Sequence, residues 1–114
     1  MRGRKVDSTN YLTVMAYAFE KLEVWQKSRT LVTKIYKVTS FFPTDEKYGL
    51  TSQFRRASVS VSSNIAEGST RWRKRDKARF YEIAYGSLIE VMNQLILSTD
   101  FGFMDDGKLK EIKP

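Results

Sequence analysis

Apolar residues recur at gaps of three and four along most of this chain, and the places where the rhythm stops divide it into segments. Leu22, Trp25, Val32, Ile35, Tyr36 and Val38 form one stripe, widened by Val24, Leu31 and Phe42, while Lys27, Arg29, Lys34 and Lys37 lie on the other side. This is the pattern of an amphipathic helix with one face turned to a core. It predicts a first helix from about Ala18 to Phe41. Phe42-Pro43 closes it, because the residue before a proline is driven out of the α region.

A second stripe follows at Leu50, Phe54, Ala57, Val61 and Ile65. Thr44-Asp45-Glu46 reads as a cap followed by acids in a first turn, where the helix dipole favours them. Gly49 weakens that opening, so the helix is expected to begin properly at Leu50. Ala57 to Ser63 alternates with a period of two and is rich in β-branched and hydroxylated residues, which is also a strand pattern. Helix is preferred because Phe54 and Ile65 carry the helical spacing through it, and serines within a helix can bond back to preceding carbonyls. Gly68 is then expected to stop the helix at its C′ position.

The third stripe is the cleanest: Phe80, Ile83, Ala84, Ser87, Leu88, Val91, Leu95 and Ile96, on a helix from about Arg73 to Asp100. Phe101-Gly102-Phe103 makes a turn. Asp105 is placed to cap a last helix from Asp106 to Lys113, whose apolar marks are only Leu109 and Ile112. Connections this short set neighbouring helices antiparallel. The prediction is an all-α protein, an antiparallel up-down four-helix bundle over residues 15–114 with a short fourth helix. Residues 1–14 show no helical stripe and are expected to form a flexible N-terminal extension.

Composition narrows the chemistry. At 114 residues one domain is expected. The chain has no cysteine and no histidine, so disulfides, thiolate sites and thiol nucleophiles are excluded, together with the commonest metal ligand and the commonest general base near neutral pH. No apolar run approaches the roughly 18 residues of a membrane span. The basic N-terminus lacks the apolar segment of a secretory signal. A cytoplasmic location without membrane contact is expected.

The formal charge is +7, and it is unevenly spread. Arg71, Arg73, Lys74, Arg75, Lys77 and Arg79 crowd into nine residues with one acid, Asp76, a local charge of +5. Such a block attracts phosphate-bearing partners over a Debye length of roughly 8 Å. Cations also oppose the dipole at a helix start by about 0.3–1 kcal/mol each at low salt. Arginine binds phosphate bidentately, and Trp72 among the arginines can stack on an unpaired base. The alternative is that Trp72 packs onto the end of the bundle and the charges are simply solvated. Arg2-Gly3-Arg4-Lys5 adds a second basic spot.

Gln53, Arg56, Asn64, Glu67, Glu90 and Gln94 lie on or beside the apolar stripes. Buried polar groups need partners, so these six are expected to form an interhelical network that fixes register, for example Arg56 with Glu67 or Glu90. A binding site between helices is the other reading. Glu67 and Glu90 could act as paired carboxylates or metal ligands, but no Glu-x-x-His pattern accompanies them. No catalytic residue, metal site or cofactor is predicted.

Three segments together carry a family resemblance: LEVWQKSRTLV, EKYGLTSQFRRASVSVSSNIAEG and FYEIAYGSLIEVMNQL. They resemble the bacterial four-helix-bundle proteins of the 23S rRNA intervening-sequence family, to which the accessory variability protein of diversity-generating retroelements is related. The likeness spans about Phe19 to Phe103. It implies an antiparallel four-helix bundle, a ring-shaped homo-oligomer (a pentamer in the retroelement relative) and a basic surface for nucleic acid, with no enzymatic activity. Gln53, Arg56, Asn64, Glu67, Gly68, Gly86, Ser87, Glu90 and Gln94 match the family pattern, with a mainly structural role. Position 73 is Arg where relatives often carry a Ser-like cap. The last helix is shorter than theirs, so either a neighbouring subunit fills the exposed groove or the chain is truncated.

The functional expectation is therefore a non-enzymatic nucleic-acid-binding homo-oligomer, with RNA favoured over DNA. Arg55, Arg71, Trp72, Arg73, Lys74, Arg75, Lys77 and Arg79 are expected to make the contacts. The alternative is a scaffold that binds another protein and whose basic face is only solvated.

Overall fold

The protein is seen in a computed structural model that describes residues 8–114, with side chains from residue 12. The described residues contain helices and turns: α1 (Ser8–Ala16), a 3₁₀ turn (Tyr17–Lys21), α2 (Glu23–Thr39), a second 3₁₀ turn (Thr44–Glu46), α3 (Leu50–Ser69), α4 (Lys74–Asp100) and α5 (Asp106–Ile112).

α3 is the central element, packed against both α2 and α4, while α5 lies against α2 and α4. Side-chain pairings fix the directions. Arg55 meets Thr39 and Phe42 meets Phe54, so α2 and α3 run antiparallel. Ser60 meets Ser87 and Gly68 faces Tyr81, so α3 and α4 do too.

The core draws Leu31, Ile35 and Val38 from α2, Phe54, Ala57, Val61 and Ile65 from α3, Ala84, Val91 and Leu95 from α4, and Ile112 from α5. Phe42 and Met104 close it at the turns. The expected α3 line holds, with Leu50 half-buried at its start. Tyr36, Ile83 and Ile96, which belong to the sequence stripes, stay exposed. α2 and α4 are covered on narrower arcs than their apolar stripes.

The helix ends show how local chemistry was read and misread. α2 stops at Thr39, short of Phe41, and tightens into i→i−3 hydrogen bonds at Ser40, Phe41 and Phe42. Thr44–Glu46 is a separate 3₁₀ turn, and the Glu46 carboxylate accepts the Leu50 N–H at 3.1 Å. That side chain supplies the acceptor which Gly49, at the N-cap, cannot. The hydroxyl-rich segment is helical throughout: Ser58 donates to the Arg55 carbonyl and Ser62 to that of Val59.

Gly68 does not stop α3. The helix runs through it to Ser69, and among the described residues the only positive φ is at Gly102, at 78°. There the Gly102 N–H donates to Thr99 and the Phe103 N–H to Ser98, the paired bonds of a Schellman motif. Gly68 instead lets α4 come close. Asp105 caps α5 as expected, accepting the Lys108 N–H at 2.8 Å.

The expected N-terminal extension is also different where it is described. Residues 8–14 belong to α1, which packs against the following 3₁₀ turn and against no other described element. Residues 1–7, with the second basic spot, lie outside the described residues. No helix among those described is long and apolar enough to cross a membrane.

Candidate nucleic-acid interface

The link between α3 and α4 is only Thr70 to Arg73, so the end of one helix and the start of the next share a single surface. Ser69 and Thr70 finish α3 by donating their hydroxyls to the Ala66 and Glu67 carbonyls, both at 2.7 Å. Arg73 is the N-cap of α4 and gives no side-chain cap bond. The first turn of α4 then carries Lys74, Arg75 and Lys77 with Asp76 as its acid. Charge at the N-terminus is thus mostly of the sign the dipole disfavours.

Arg71 is held in place. Its guanidinium lies 3.6 Å from the Glu67 carboxylate and 4.5 Å from the centre of the Phe80 ring. The pair is half-exposed, so the ion pair contributes about 0–1 kcal/mol. Its larger effect is to fix the orientation of a planar donor group. Among the described residues, Arg73, Lys74, Arg75, Lys77 and Arg79 have no ion pair and no side-chain hydrogen bond. Arg71, Asp76 and Arg79 border a shallow depression of about 390 Å³ with Phe80 and Ile83.

Trp72 is 90% exposed, so it is not packed into the end of the helices. It borders a cleft of about 540 Å³ together with Leu12 and Met15 of α1, Phe19 and Leu22 just after it, and Ser69 and Thr70 at the end of α3. The sequence offered no signal for this cleft, since residues 1–14 show no helical period. Phe80 as a platform for Arg71 was equally hidden among the core positions of its stripe.

Arg55 is elsewhere. It lies fourteen residues before the end of α3, about 20 Å along the axis at 1.5 Å per residue. Its Nε donates to Thr39 Oγ1 at 2.8 Å, one terminal nitrogen donates to the Tyr36 carbonyl at 3.3 Å, and the group sits 4.6 Å over the Tyr36 ring. It ties α3 to α2 and does not join the basic cluster.

The six polar residues expected to form an interhelical network do not meet. Gln53, Arg56, Glu67 and Glu90 are exposed, Asn64 is half-buried and Gln94 is buried. Glu67 pairs with Arg71, and Arg56 has no ion pair among the described residues. Gln94 Oε1 is buried with no hydrogen-bond partner among the described residues. The polar link between α3 and α4 runs instead through Ser60 and Ser87, whose hydroxyls are 2.7 Å apart, with Asn64 Nδ2 donating to Ser60 Oγ at 3.1 Å. The expectation failed because gaps of three and four place Arg56 and Glu90 beside the apolar stripe, on its outer side. No cluster of three or more potential metal ligands is present among the described residues.

No curated protein matches this chain. A family model, however, described as 23S rRNA-intervening sequence protein, matches residues 20–114. That span takes in every described helix after α1, the α3–α4 link and the basic block, and the chain therefore belongs to the 23S rRNA-intervening sequence protein family.

Proposed function

We propose that this protein is a non-enzymatic, cytoplasmic RNA-binding factor that acts as a homo-oligomer. The observation carrying this reading is the set of five unpaired cations, Arg73, Lys74, Arg75, Lys77 and Arg79, beside an exposed tryptophan at one end of α4. Unpaired cations release counter-ions from phosphates without first breaking internal ion pairs, so affinity falls steeply with salt. The family description supports RNA over DNA. Arg71, oriented by Phe80 and Glu67, adds a planar donor suited to phosphate.

In this reading α2 to α5 are an up-down four-helix bundle whose short fourth member leaves part of α4 uncovered. Tyr81, Tyr85, Ile89 and Ile96 repeat at helical spacing on α4 and all are exposed. A second copy of the chain covers that stripe, and the family resemblance points to a ring of five. The same stripe favours a second reading, a scaffold for a different protein, in which the basic block is merely wet.

Light scattering with and without structured RNA, at low and near-physiological salt, separates the two. The first reading expects an oligomer that takes up RNA. It also expects Arg73→Glu/Lys74→Glu/Arg75→Glu to lower affinity and flatten the salt slope. Acids are favoured at a helix N-terminus, so this variant keeps its fold. Unchanged affinity and slope in the variant would leave the scaffold as the better account.

A further inference from the structure

We propose that the cleft between α1 and the end of α3 is a pocket for one unpaired nucleobase, stacked on Trp72, in an RNA held by the basic block. This rests on the RNA-binding reading and deepens it. It specifies that the preferred RNA presents an extruded base, as at a bulge or loop, and is not a plain duplex.

The cleft is shallow and about half open to solvent, with a volume of about 540 Å³. Its lining is mostly apolar, with Trp72 from the α3–α4 link and Leu12, Met15, Phe19 and Leu22 from α1 and the segment after it. Leu12 is 62% exposed, so without an occupant this surface is wet. Trp72 lies three residues after the end of α3 and two before the start of α4, in a four-residue link, and its ring is 90% exposed and open to a flat partner.

Charge selects the occupant. The residues flanking Trp72 in sequence are Arg71 and Arg73, followed by Lys74 and Arg75. The cleft itself is lined by no charged side chain, and an apolar cleft whose Trp72 is bracketed in the chain by cations suits a ligand that is flat and apolar on its faces and anionic along its backbone. An unstacked base on a phosphodiester chain has that chemistry. A base within a duplex does not, because both its faces are covered. The polar edge refines the fit. Ser69 and Thr70 have their hydroxyl hydrogens committed to Ala66 and Glu67, so toward the cleft these oxygens can only accept. They suit the N–H donors that an unpaired base exposes.

The test uses the full chain and three versions of one RNA hairpin: with a single bulged 2-aminopurine, with an abasic bulge, and fully paired. Base stacking on an aromatic side chain is worth about tenfold in affinity in the lower half of its range. The bulged hairpin should therefore bind about tenfold more tightly than the other two, with a change in 2-aminopurine emission. Trp72→Ala should erase the difference and Trp72→Phe should keep most of it. Leu12→Asn should reduce it from the α1 side of the lining. None of these side chains belongs to the core, so folding is preserved. Equal affinity for bulged and abasic hairpins overturns the base pocket. If the triple charge reversal still weakens binding in that case, RNA binding itself stands. If the reversal also has no effect, both fall. Equal losses for bulged and paired hairpins in Trp72→Ala would overturn the pocket as well.

Discussion

A Cβ placed on Gly68 would stand 2.8 Å from the ring of Tyr81 and 3.0 Å from Cβ of Phe80. The Tyr81 ring can swing aside, but Phe80 Cβ moves only with the α4 backbone. Gly68 therefore sets how closely α3 and α4 approach.

Gly68→Ala should destabilise the fold. Alanine gains about 1 kcal/mol in helix propensity, while overpacking costs about 1–3 kcal/mol, so the net loss is about 1 kcal/mol. That corresponds to a drop in Tm of about 4 °C for a chain of this size. Gly86 is the control: a Cβ there meets nothing within 4 Å, so Gly86→Ala should raise stability by about 0.5–1 kcal/mol. If thermal melts move both variants in the same direction, close approach is not what Gly68 provides.

Arg55→Ala separates stability from binding. The change removes the bond to Thr39 and the stacking on Tyr36. A hydrogen bond to a charged group contributes about 1.5–3 kcal/mol, so urea titration should show a loss of about 2 kcal/mol. Affinity for RNA should change less than twofold, about 0.4 kcal/mol. Arg55→Lys should recover little, because one ammonium cannot reproduce a planar fork. A large loss of RNA affinity at full stability would return Arg55 to the interface.

Asp105 and Ile112 test how much the shortest helix matters. Asp105→Ala removes the α5 cap and should cost about 1 kcal/mol. Ile112 is 3% exposed, and Ile112→Ala should cost about 2–5 kcal/mol. Hydrogen exchange should show α5 opening before the other helices in the first variant. Unchanged melting of Ile112→Ala would mean that α5 is not docked against α2 and α4 in solution.

Gln94 carries an amide oxygen that is buried and unbonded among the described residues. Leaving a buried acceptor unpaired costs about 1–3 kcal/mol. Gln94→Met keeps the length and removes the amide, and should raise Tm by several degrees. A lower Tm together with a smaller mass in solution would place the missing partner of Gln94 on a second copy of the chain.

Much of the fold was legible in the sequence because it depends on local periodicity. The α3 line from Phe54 to Ile65, the Asp105 cap and the turn at Gly102 each need only a few neighbouring residues to be read. The strand-like ASVSVSS segment resolved as helix because its flanks continue a helical spacing. Even the near misses at Thr39 and Thr44 are shifts of a few residues at helix ends, where several backbone groups compete for the same partners.

What the sequence determined by itself was the order of the main helices, their apolar stripes, the cluster of charge around the start of α4 and the family. The first three follow from spacing and composition, and the family from the likeness of three segments to its members. Only the tertiary structure decided which polar residues meet, what Gly68 is for, and where Arg55 and Trp72 lie. Two residues on different helices can share a stripe pattern and still face apart, because rotation and separation are set when the helices pack. Hence Ser60 and Ser87 form the link expected of Arg56 and Glu90, and Arg55 binds α2 instead of joining the basic block. Trp72 gains its cleft because α1, which has no stripe to announce it, lies across from it.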